Sequence, residues 1–294
     1  QGYSMPRKKT PKEIVPLLRG AINTFTSHPI ILLPFITIAF IQIFVLEILY
    51  FSPRFPLSGF FNPIVRTFWG EEFVHYPNNF TILPKLFQYA QIPLYIFISS
   101  FLIAVAMAII AAINDGRKVR FLSACRSILS RYIYIFVAAS MLFGVFYGFH
   151  RGYSLMMARA MQITSTTGIF FIIKIVVIKG APYFNLLIGA FVTTIFAFVF
   201  PLIAIDGKKI FSAIGLNFKH LWGSFWFVTF LVVVPTVFYL PILLLRSHVN
   251  MIAQTAFPEV RALILLASIL VTMFIDATVY TAITTYYLLK KERS

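Results

Sequence analysis

Uncharged apolar runs about as long as a bilayer core is thick dominate this chain, and they settle its class before any motif is considered. Residues 92–113 contain no Asp, Glu, Lys or Arg. A hydrocarbon core roughly 30 Å thick is crossed by about 20 helical residues. Inside it each segment must satisfy its own backbone polar groups, which leaves helices or a closed barrel. The short alternating segments of a membrane barrel are absent. The expected fold is therefore an all-α integral membrane protein with six spans, near residues 30–51, 92–113, 132–149, 183–205, 225–245 and 263–289. Composition agrees. Hydrophobic residues make up 60% of the 294 and charged residues 12%, whereas a soluble domain is about half apolar and about a quarter charged.

The formal net charge is +16. On a soluble chain that would point to nucleic acid. Here the basic residues stand at the ends of apolar runs, so anionic lipid headgroups are the expected partner and nucleic acid is not. Of the 25 Lys and Arg, 16 fall on one side of the six-span layout: Arg7, Lys8, Lys9, Lys12, Arg19, Arg117, Lys118, Arg120, Arg126, Arg131, Lys208, Lys209, Lys219, Lys290, Lys291 and Arg293. The positive-inside rule makes that the cytoplasmic side, with both termini on it. The expected location is a prokaryotic plasma membrane. No cleavable signal peptide is visible, and residues 1–4, ahead of Met5, read as a tag remnant. The remainder, 5–294, reads as one membrane domain.

Residues 160–178 complicate this count. GIFFIIKIVVI is apolar enough to enter the bilayer, and a seventh span there would put the two turns described next on opposite faces. The stretch is expected as a re-entrant or interfacial helix on the outer face, with Lys174 snorkelling to the headgroups.

Two elbows share a phrase, AINDGRKVRFLSA at 112–124 and AIDGKKIFSA at 204–213. Asp-Gly makes a tight turn because Gly accepts positive φ and Asp bonds nearby backbone. Cations follow, and then a helix. The apolar positions from Phe121 (121, 122, 124, 125, 128, 129, 132) fill one side of a helix, as do those from Ile210, with Asn217 an exception. The same phase begins the chain, from Ile14 to Phe25. This predicts three repeated units, about 11–113, 114–205 and 206–294, each an amphipathic interfacial helix followed by a span out and a span back. The outer loop 52–91, with five prolines among aromatics, is expected to be an ordered cap of short helices at the interface.

Candidate functional groups are few. Arg117, Lys118, Arg120, Lys208 and Lys209 in the elbows are candidates for lipid headgroup binding. Asp276, in MFIDATVYT, falls in the middle of the last span, where an ionisable group marks an ion, proton or substrate contact, or an acid satisfied by hydroxyls such as Thr272 and Tyr280. Glu47 lies near the outer end of the first span. The five histidines, 28, 75, 150, 220 and 248, show no ligand spacing, so no metal is expected. Cys125 is the only cysteine. Glu71-Glu72 are adjacent and suit no two-sided acid–base chemistry, and Asn79-Phe80-Thr81 fits the glycosylation triplet. No nucleotide-binding or nucleophile motif is present. Neither an enzyme nor a cofactor is expected.

The two elbows and the Trp/Phe-rich spans after them, as in AIDGKKIFSAIGLNFKHLWGSFW, resemble those of prokaryotic six-span proteins of the YciC-like group and of the membrane domain attached to some glycerophosphodiester phosphodiesterases. The resemblance implies a six-span membrane module. The phosphodiesterase barrel is missing here, so its activity is not implied, and no functional residue is carried over. The resulting expectation is a non-enzymatic membrane protein that binds lipids or a partner membrane protein through its basic elbows and inter-span grooves. The alternative is a transporter or channel for a small solute or ion with a path past Asp276. Whether a wet cavity reaches that residue separates the two.

Overall fold

The computed structural model describes residues 14–164 and 167–292. Residues 1–4, Arg7, Lys8, Lys9, Lys12, Ser165 and Arg293 lie outside the described residues. Among the described residues the chain is all helix, without strands. The helices are α1 (Ile14–Ser27), α2 (Leu32–Tyr50), α3 (Ser58–Phe68), α4 (Asn79–Pro93), α5 (Ser100–Asn114), α6 (Phe121–Leu129), α7 (Tyr132–Met161), α8 (Gly168–Ile195), α9 (Val199–Ala204), α10 (Ile210–Trp222), α11 (Phe225–Thr236), α12 (Leu240–Ser247), α13 (Val249–Thr255) and α14 (Val260–Lys291).

Six helical stretches are long and apolar enough to cross a membrane: Pro29–Tyr50, Asn79–Asn114, Tyr132–Met161, Gly168–Ala204, Phe225–Ser247 and Val260–Lys291. The spans form a closed ring in the order α2, α5, α7, α8, α11, α14, with α14 returning to α2. The even spans also meet in the middle. There α5 packs on α9 and α14, and Phe198, at the start of α9, stacks on Tyr286 of α14. Small side chains permit that approach. Ala104 and Ala106 of α5 and Ala277 and Ala282 of α14 are completely buried, around Met107, Ile203 and Ile283. The side of the ring that carries α1, α6, α10 and the end of α14 is here the elbow side, and the side that carries α3 is the cap side.

Each helix on the elbow side packs against the span that precedes it around the ring: α6 on α5, α10 on α9, and α1 on α14. Their buried positions are Leu17, Leu18, Ala21 and Phe25 in α1, Ala124 and Ile128 in α6, and Ile210, Ala213, Asn217 and Leu221 in α10.

Two expectations require correction. Residues 168–178 do not form a separate re-entrant or interfacial helix, because they are the first three turns of α8 and run unbroken into the fourth span. Pro182 is accommodated inside α8. Lys174 does not snorkel to headgroups; its Nζ donates to the carbonyl of Ile163 at 2.9 Å and fastens the α7–α8 turn. At 30 and 28 residues, α7 and α8 are roughly 45 and 42 Å long, longer than the roughly 30 Å core. The hairpin therefore tilts or stands proud on the cap side. The second correction concerns the outer loop, which ends by residue 78. Asn79 begins α4, and α4 continues through a wide π-type turn, Leu94–Ser99, into α5. Before residue 79 the cap is ordered as expected, with α3 and a 3-10 turn, Glu71–Val74.

Proline sets the breaks in the later spans. Pro201 has no N–H to give to Ala197, and its ring would clash with that carbonyl in a continuous helix, so the fourth span breaks between α8 and α9. The fifth span tightens into a 3-10 turn, Val237–Tyr239, between Pro235 and Pro241.

Candidate functional site

Several half-buried polar residues of the spans face one space. A cleft of about 320 Å³, partly open, lies among α7, α8, α11 and α14. Asp276 and Tyr280 line it from α14, Asn185 and Thr193 from α8, Thr236 and Tyr239 from the fifth span, and Phe146 from α7. Its size falls at the lower end of small-molecule pockets, about 300–1,000 Å³. On α14 its polar residues are four apart, Thr272, Asp276 and Tyr280, a spacing that keeps them on one helix face. The tightened turn after Pro235 directs Tyr239 into the same space. Toward the elbow side the bundle is filled by the completely buried Phe198, Ile203 and Ile283.

Two hydrogen-bonded pairs lead from the cap side to this cleft. Arg246 donates to the Tyr239 hydroxyl at 3.0 Å, and that hydroxyl lies 2.7 Å from Ser268 Oγ, two helical turns cap-ward of Asp276. His150 Nδ1 donates to Asn185 Oδ1 at 3.1 Å. The Thr236 hydroxyl donates to the Val232 carbonyl at 2.8 Å, which leaves its lone pairs to accept. Tyr95 and Tyr280 lie alongside Asp276. The carboxylate itself accepts no hydrogen bond and meets no cation among the described residues. Thr272 and Tyr280 thus share its face, as expected, but do not satisfy it.

The elbows divide the basic candidates. Arg117 pairs with Asp115 at 2.5 Å, both exposed. Lys118, Arg120, Lys208 and Lys209 are exposed. The second elbow is instead fastened to the bundle. Asp206 accepts from the Tyr287 hydroxyl and from Lys291 at 2.6 Å. Arg131, just beyond α6, reaches across to donate to the carbonyls of Ala204 (2.6 Å) and Ile203 (3.3 Å) at the end of α9. Lys290 donates to the His220 carbonyl and to Ser224 Oγ at 3.1 Å. Burial, with Lys290 and Lys219 nearby, holds the His220 imidazole below its usual range, against the pull of Asp206.

Asn217, the misfit on the face of α10, is fully buried. Its Oδ1 accepts from Phe198 N at 3.0 Å, and its Nδ2 donates to Ile195 O at 2.7 Å. It thus satisfies the backbone groups freed where α8 breaks from α9. Glu47 is exposed on α2 and does not line the cleft. Glu71 pairs with Arg66 on the cap at 2.5 Å. Asn79 sits in the first turn of α4 with its amide oxygen buried. No three His, Cys, Asp or Glu side chains come together to hold a metal among the described residues. Burial pushes the Cys125 thiol up from its usual range. Asn185, Thr193, Thr236 and Tyr239 were not singled out in the sequence. Asn185, a lone amide between Pro182 and Gly189 in an apolar run, was the signal available. Compared with family models, with curated proteins and with solved structures, the chain matches none.

Proposed function

We propose that this chain is a membrane transport protein that takes a small solute from the cap side into the cleft beside Asp276. The observation that carries this is the cleft: an intramembrane carboxylate without a protein partner, in a space large enough for a ligand and lined by further polar groups. Intramembrane ionisable groups are costly and mark pathways or binding sites. The dense packing of α5, α9 and α14 on the elbow side makes this the state open away from the elbows. The elbow side is the cytoplasmic side in this reading, because most of the Lys and Arg lie there.

The same reading takes the chain as three repeated units. Support comes from burial at matching positions of the three elbow-side helices. Counting from Ile14, Phe121 and Ile210, the first residues of the three helices, Ala21, Ile128 and Asn217 correspond, and all are at most 1% exposed. One residue further on, Ile22, Leu129 and Phe218 are 44%, 63% and 49% exposed. The common docking of α1, α6 and α10 on the preceding span adds to this. The exposed apolar stripe, with Lys118, Arg120, Lys208 and Lys209 beside it, suits insertion among anionic lipids as an anchor for these helices.

The test is whether water fills the cleft. In a Cys125→Ser background, Thr272→Cys and Thr193→Cys are expected to react with a charged, membrane-impermeant thiosulfonate added from the cap side, while Ile283→Cys in the core stays unlabelled. Absence of labelling at both cleft positions in folded protein would mean a groove filled by lipid, and would overturn the transport reading.

A further inference from the structure

The geometry points to an organic cation, a protonated amine carried on an apolar body, as the class of solute that this cleft binds. The inference rests on the reading of the cleft as a solute site and deepens it. Asp276 is the sole acid or base other than tyrosine among the cleft residues. Among the described residues it makes no salt bridge, and a carboxylate within a span is stabilised by a counter-charge that brings hydrogen-bond donors. The protein does not supply one. The basic side chains toward the cap side are engaged elsewhere, Arg246 on Tyr239 and His150 on Asn185. The cleft adds acceptors beside the carboxylate: the Thr236 oxygen, whose proton is committed to Val232, and the faces of the Phe146, Tyr239 and Tyr280 rings. An ammonium group would find a charge partner, a hydroxyl acceptor and aromatic faces, which attract cations.

The rest of the wall selects the body. Leu186, Ala190, Val232, Ile275 and Val279 are apolar. A bare divalent ion is usually held by several carboxylates, and Asp276 is the one carboxylate in this wall. An amine with an aliphatic or aromatic skeleton fits both the polar and the apolar parts.

The experiment uses the full-length protein in detergent micelles, titrated calorimetrically with 2-phenylethylamine, 2-phenylethanol and phenylacetate, which are similar in size and differ in charge. Gly189→Trp, which fills the cleft from a position where a Cβ meets nothing within 4 Å, corrects for partition into micelles. The amine is expected to bind wild type at least tenfold more tightly than either analogue. Asp276→Asn is expected to remove that advantage and leave the weak binding of the alcohol unchanged. Asp276→Glu keeps the charge and is expected to keep the ordering, which guards against an Asn variant that fails to fold. Amine binding unchanged in Asp276→Asn, or phenylacetate bound as tightly as the amine, overturns the cation assignment. If Gly189→Trp abolishes binding of the alcohol while charge makes no difference, the site stands and the assignment alone falls. Failure of every probe to bind, with Thr272→Cys still labelled, likewise overturns the assignment alone. If Thr272→Cys is unlabelled as well, the solute-site reading falls with it.

Discussion

The two elbows begin with nearly the same phrase and end up in different structural states. Both turn at Asp-Gly with the glycine left-handed, φ +72° at Gly116 and +67° at Gly207. Beyond the turn they part. Asp115 meets only its neighbour Arg117, in the open. Asp206 is gripped by Tyr287 and Lys291 from the last span, and the guanidinium of Arg131 lies 3.2 Å from where a Cβ on Gly207 would stand. The turn is thus a local property of four residues, while docking is decided by what distant segments bring to it. The helices that follow differ in the same way. At the position four residues after the Ser-Ala pair, α6 has Ile128 and α10 has Asn217, both buried. An amide is needed only in α10, because only the span beneath it is broken.

The largest effect is expected at that position. Asn217→Leu leaves Phe198 N–H and Ile195 C=O unpaired in the core and should destabilise by about 3 kcal/mol. The reciprocal Ile128→Asn buries an amide without partners and should cost about as much. Chemical unfolding in micelles checks both. If Asn217→Leu is neutral, the break is not held by this side chain.

Next comes the aspartate pair. Asp206→Ala should cost about 2 kcal/mol, since two hydrogen bonds are lost, one of them to a charged donor. Asp115→Ala should cost less than about 1 kcal/mol, as exposed ion pairs do. Equal losses in the two variants would erase the distinction between a docked elbow and a free one.

The glycines sharpen the comparison further. Either Gly→Ala places a Cβ in a left-handed conformation, at about 1–2 kcal/mol. Gly207→Ala should cost more than Gly116→Ala, because the new methyl meets Arg131. That excess should vanish in an Arg131→Ala background, as a double-mutant cycle would reveal. An excess that persists would mean Arg131 is not what crowds Gly207.

The smallest effect concerns pH. His220 has its folded pKa below the unfolded value of about 6.5. Its contribution is therefore fully present above about pH 6.5 and is lost as pH falls through the folded value. Unfolding curves from pH 7.5 down to 5 should show wild type losing more stability than His220→Gln. Parallel curves would assign the acid sensitivity elsewhere.

These contrasts also mark what sequence could reveal. The spans were legible because a run such as 92–113 has no other way to be buried, and the glycines of both elbows because Asp-Gly needs positive φ. The first turns of α8 were misread because a separate span there would have put the two elbows on opposite faces, and nothing local says that α7 packs alongside to keep α8 continuous. Asp276 stood out by being charged in an apolar run. The rest of its cleft did not, because Asn185, Thr193, Thr236 and Tyr239 come from segments up to about ninety residues away and acquire meaning only when the ring closes. Asn217 registered as an error in a pattern, since the break it repairs is caused by Pro201 on another helix.

The docking of α1 on α14 has a consequence for the timing of assembly. Ribosomes add roughly 5–20 residues per second, so α14 follows α1 by roughly ten to fifty seconds. Through that interval Leu17, Ala21 and Phe25 have no wall to rest on, and the space beside Asn185 has no acid. Emerging after the other spans, α14 completes the core and the ring and delivers Asp276. A chain stalled before α14 would therefore carry α1 with the apolar face that docks on α14 uncovered, and its cleft would lack Asp276.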